Sequence, residues 1–77
     1  MDIHLADVTL HVDQSLNPQE LEKLEHAIRQ KEGVVSVHVN PDKAHLIVVE
    51  YNPKKVHSGD LMSILRSQGL NGELIGL

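Results

Sequence analysis

The sequence predicts an α+β sandwich in which one four-stranded antiparallel sheet carries two helices on a single face. Three observations predict it. Four short runs hold apolar residues in alternation or in unbroken succession, two stretches hold them at helical spacing, and the order along the chain is β-α-β-β-α-β. At 77 residues the chain is expected to form one domain spanning residues 1–77, near the lower size at which a hydrophobic core suffices without staples.

Val8, Leu10 and Val12 alternate with Asp7, Thr9, His11 and Asp13, the pattern of a half-buried strand. Asn17 then suits an N-cap, Pro18 the first helical position, and Glu20 the third, where it closes a capping box. Leu21, Leu24, Ala27 and Ile28 give one apolar stripe, and Gly33 is the expected left-handed cap. Val35, Val37 and Val39 alternate with Ser36, His38 and Asn40 as a second strand, and Asn40-Pro41-Asp42-Lys43 reads as a turn. Residues 44–51 are apolar at nearly every position, as a central strand would be, and Asn52-Pro53 ends them. Ser58 is the expected cap of a second helix with Leu61, Ile64 and Leu65, closed by Gly69; Glu73-Leu74-Ile75 makes a last strand.

This is the split βαβ order of ferredoxin-like βαββαβ folds, and right-handed crossovers place strands one and three in the middle of the sheet. The two helices cover one face. No sequence is left to cover the other.

Composition excludes several function classes. There is no cysteine, hence no disulfide, Fe–S cluster or thiolate zinc site, which suits a reducing compartment, and a cytoplasmic location is expected. The opening residues lack a basic region and a long apolar stretch, so no signal peptide is expected, and nothing approaches the ~20 apolar residues of a membrane helix. A formal charge of −4 and a single aromatic, Tyr51, argue against a nucleic-acid partner. No Gly-rich phosphate loop and no nucleophile flanked by a base is present, so no enzyme is expected.

Gly33-Val34-Val35-Ser36-Val37-His38-Val39-Asn40, Val49-Glu50-Tyr51-Asn52-Pro53 and residues 61–69 (LMSILRSQG) together resemble the heavy-metal-associated domain, the family of copper chaperones and of N-terminal modules of metal-exporting ATPases. The resemblance spans roughly residues 8–76. It implies a soft ion, usually Cu(I), held by two cysteines in the loop before the first helix. Those cysteines correspond to Asn17 and Glu20, the methionine before the motif to Ser15, and an often aromatic position to Leu70. An amide and a carboxylate are poor ligands for a soft ion, whereas they are the residue types a helix cap requires.

Six histidines form the remaining hint of metal affinity. His11 and His38 should point away from the helices near the loop end of the sheet, about two strand spacings or roughly 9–10 Å apart, with His45 beginning the third strand near them. Such imidazoles suit Zn²⁺, Ni²⁺ or Cu²⁺, although no His-x-His or His-x-x-x-His pair is present. Scattered surface histidines are the plainer reading. On the uncovered face Leu46 and Val48 are expected outward, with Thr9, Ser36, His11 and His38 around them, an apolar centre with a polar rim.

The expected function is a binding or interaction module with a degenerate metal loop. It would work through its open face, with a protein partner or as a homodimer, and any metal binding would be weak and histidine-based. The alternatives are a metal carrier with histidine ligands in transport or resistance, and a small-molecule-sensing regulatory domain.

Overall fold

The computed structural model describes residues 4–40 and 42–75. Met1 to Ile3, Pro41 of the expected turn, and residue 76 of the span of resemblance lie outside them. The elements follow in the predicted order: β1 (Ala6–Val12), α1 (Pro18–Arg29), β2 (Val34–Asn40), β3 (Lys43–Tyr51), α2 (Ser58–Ser67) and β4 (Gly72–Ile75). The sheet order is β2-β3-β1-β4, antiparallel throughout, with β1 and β3 central as the crossover rule requires.

Alternation decides which side chains enter the core. Val8, Leu10 and Val12 of β1 and Ile47, Val49 and Tyr51 of β3 turn inward, in a register running from Ala6 opposite Tyr51 to His11 opposite Leu46. Leu24 and Ile28 of α1 and Leu61 and Leu65 of α2 descend onto them from one face. The helix stripe and the strand alternation thus meet in one buried cluster, which Val56 joins from the β3–α2 connection.

β3 opens at Lys43, inside the expected turn, and β4 one residue early at Gly72; two helix boundaries also differ from expectation. Gly33 does not cap α1, which ends at Arg29 with Gln30 as C-cap. Gly33 instead opens β2 at φ +100°, where a Cβ would come within 2.7 Å of Lys55 Cβ and Val56 Cγ2. It is needed for its backbone angle and for this close approach, which lets its carbonyl accept from the Asn52 N–H at 2.8 Å. Likewise Ser58 is the first residue of α2 and His57 the cap, because Asp60 at the third helical position accepts the His57 N–H at 2.9 Å. Gly69 follows α2 at φ +76°, as its sequence position predicts.

Candidate functional site

The loop between β1 and α1 is built around a reciprocal cap. Asn17 Oδ1 accepts the Glu20 N–H at 2.8 Å, and Glu20 Oε1 accepts the Asn17 N–H at 3.0 Å. Each side chain satisfies a backbone donor that the first turn leaves free. The loop is also pinned to the α2–β4 connection: the Asp13 N–H donates to the Asn71 carbonyl at 2.8 Å, and the Asn71 N–H to Gln14 Oε1 at 2.9 Å. Leu16 packs against the core beneath, while Ser15 is exposed.

Beside this loop lies an open cleft of about 370 Å³, lined by residues 11–16 and His45. The His11 and His45 rings meet edge to face, their centroids 5.1 Å apart and their planes at 89°. His11 Nδ1 is buried and has no hydrogen-bond partner among the described residues. The nearest acidic oxygen is Asp13 Oδ1 at 3.9 Å, beyond hydrogen-bond length. The ring as a whole keeps 34% of its surface exposed, so its open edge lies away from Nδ1.

His38 is not part of this pair. It sits opposite Val48 on β3, whose β1 partner is Thr9, whereas His11 lies opposite Leu46. His38 and His11 are therefore two strands and two residues apart, roughly 12 Å by ordinary sheet spacings. His4, His26 and His57 are exposed and lie before β1, on α1 and at the α2 cap. No three His, Asp or Glu side chains converge as a metal-binding group among the described residues.

The face opposite the helices is ordered in rows. One row runs His38–Val48–Thr9–Ile75 across all four strands, with Val48 40% and Ile75 46% exposed. Leu46, His11 and Glu73 form the row on its loop side, and Ser36, Glu50 and Asp7 the row on its other side. Glu50 and Asp7 stand directly opposite each other, so that end of the face is acidic. Thr9, Ser36, Leu46 and Val48 all lie where alternation puts them. Asp13 and Ile75 are the additions. Asp13 follows the end of β1 two residues after His11 and lines the same cleft, and Ile75 faces out because Leu74 packs on the core.

No protein-family model matches this sequence, and no curated protein is significantly similar to it. Solved structures are similar in fold. Oxidized MerP from Ralstonia metallidurans superposes with a TM-score of 0.82 at 22% identity, over 92% of this chain and 97% of that one. The N-terminal domain of a potential copper-translocating P-type ATPase from Bacillus subtilis, solved loaded with Cu(I), gives 0.84 at 23% identity, over 95% and 90%. The HMA domain of a copper chaperone for superoxide dismutase gives 0.76 at 18% identity, over 95% and 69%. This chain has the heavy-metal-associated fold.

Within this heavy-metal-associated fold, the loop before α1 does not fit a thiolate-bound soft ion. The chain has no cysteine, and at the corresponding positions both Asn17 and Glu20 are engaged in the cap. Asn17 Oδ1 and Glu20 Oε1 are hard donors, and each already accepts an amide proton. In this chain the loop serves as a helix cap.

Proposed function

We propose that this domain acts by binding rather than catalysis, and that its open sheet face receives a second copy of the same chain. The observation that carries this reading is the uncovered row in which Val48 and Ile75 flank Thr9. Central strands with apolar side chains on both faces are ordinarily covered on both.

The charge pattern favours a second copy. Two sheets can stack face to face about a two-fold axis along the strands or across them. An axis along the strands sets Asp7 and Glu50 against their own images. An axis across the strands sets them against the partner's row of Leu46, His11 and Glu73, which holds one imidazole and one carboxylate where the facing row holds two carboxylates. The second arrangement brings fewer like charges together. Four strands at about 4.8 Å and five residues at about 3.4 Å cover on the order of 300 Å² of flat area per copy. That is below the ~800 Å² per partner of stable complexes, so the dimer is weak and reversible.

The Bacillus subtilis ATPase domain was solved with Cu(I) and the HMA domain is that of a copper chaperone for superoxide dismutase, but no soft-ion ligand stands in this loop, which disfavours a carrier of that kind. The absence of thiols suits the cytoplasm. Sedimentation velocity from about 10 µM to 1 mM tests the proposal. A concentration-dependent rise in sedimentation coefficient, abolished by Val48→Lys, is the expected result. A monomer throughout, or a Val48→Lys variant that associates like the wild type, overturns the proposed interface.

A further inference from the structure

We infer that the cleft at the loop end of the sheet is a divalent-cation site for a borderline ion such as Zn²⁺, Ni²⁺ or Cu²⁺, with His11 and His45 as its imidazole ligands and Asp13 as the residue that orients His11. The site is separate from the capped Asn17 and Glu20 positions and does not depend on self-association.

The spacing of the rings is the first support. Two imidazoles bound to one tetrahedral ion through nitrogens at about 2.0–2.1 Å hold their ring centroids about 5 Å apart. His11 and His45 stand at 5.1 Å with their ring planes at 89°. The ring separation is therefore the one a shared ion requires, and rotation about the side-chain torsions sets which nitrogens face it.

The second support is independent of the first. A buried polar atom without a partner is costly, and His11 Nδ1 is one. A ligating imidazole ordinarily donates its other N–H to a carboxylate or carbonyl, which fixes the tautomer and the ring orientation. Asp13 Oδ1, at 3.9 Å from Nδ1, needs to approach by about 1 Å to accept such a bond. Its carboxylate is 60% exposed and therefore free to make that turn. With Nδ1 directed at Asp13, Nε2 of His11 becomes the ligating atom on the open edge of the ring.

Two protein ligands leave the other positions to water, and the cleft is open enough to admit it. Imidazole donors select Zn²⁺, Ni²⁺ and Cu²⁺ over Mg²⁺ or Ca²⁺, which prefer oxygen cages. A two-ligand site exchanges its ion readily.

The test is calorimetric titration of the tag-free chain with each of Zn²⁺, Ni²⁺ and Cu²⁺, alongside ¹⁵N-detected histidine tautomer spectra. We expect saturable uptake of about one equivalent. His11→Ala and His45→Ala should each weaken it about tenfold or more, while His26→Ala and His38→Ala leave it within about twofold. Asp13→Asn should weaken binding about tenfold and alter the His11 tautomer signal, as loss of an orienting carboxylate does. His11 and His45 lie outside the buried core, so their variants are expected to fold, which circular dichroism verifies. Absence of saturable uptake up to about 1 mM ion overturns the inference. So does affinity retained in His11→Ala or His45→Ala, or lost equally in His38→Ala.

Discussion

Asn17 and Glu20 are three residues apart, and that separation serves a ligand pair or a capping box equally well. The side-chain types decide between them, and both were legible in the sequence. Asn17→Ala removes one reciprocal bond and should lower stability by about 1 kcal/mol in urea unfolding. Asn17→Cys combined with Glu20→Cys should give the loop soft-ion affinity, since each side chain already reaches the backbone of the other residue and the two positions lie side by side at the helix start. Removal of one Cu(I) equivalent from a colorimetric chelator by the double variant, and none by the wild type, is the expected outcome. The His11–His45 contact was less legible. In the unbroken apolar run Leu46–Val49 alternation gives no facing for the residue that begins the strand, and sequence distance says nothing of ring separation. The position of Gly33 after an apolar stripe predicts a helix cap, whereas its actual role is a close approach. The neighbours that require it, Lys55 and Val56, arrive from the far end of β3. Gly33→Ala should cost roughly 1–3 kcal/mol, measurable as a fall in Tm, through strain at positive φ and the clash together.

Among the elements, β2 is the exposed edge most open to unwanted pairing. Val34–Asn40 contains no Lys, Pro, Asp or Glu, and Val35 is 55% exposed. Two devices temper it. The register shifts between Val34 and Ser36, and Arg29 of α1 reaches over to donate to the Val37 carbonyl at 3.3 Å while paired with Glu25 at 3.3 Å. Arg29→Ala should leave folding stability nearly unchanged, as loss of an exposed ion pair does, yet shorten the lag before thioflavin-positive assembly. An unchanged lag removes Arg29 from any guarding role. Strand order and helix positions were readable from periodicity, because each element has one apolar side. The Arg29 contact was not, since a long side chain crossing to a neighbouring strand leaves no trace in spacing.

As a whole the molecule has little reserve. Domains of this length have about 4–12 kcal/mol of net stability, and among the described residues the core is twelve buried apolar side chains. Ile47 is fully buried on the central strand, so Ile47→Ala should cost about 2–5 kcal/mol. Thermal melting by circular dichroism should find that variant markedly less stable, whereas Val48→Lys, one residue along and exposed, should melt within a few degrees of the wild type. The fold class was fully legible because the pattern of one apolar face per element has few other solutions. What the uncovered face meets was not, since a strand records which side is apolar and not what lies against it. Tyr51 carries a practical consequence. It is the chain's one aromatic apart from histidine, it is 9% exposed, and it lies five residues along β3 from Leu46, about 17 Å from the row of His11. The intrinsic emission of the protein therefore comes from a single buried phenol at the end of the sheet away from the cleft. That fluorophore will register loss of the core with a clean one-site signal, and a spectator placed at His45 is needed to watch the cleft.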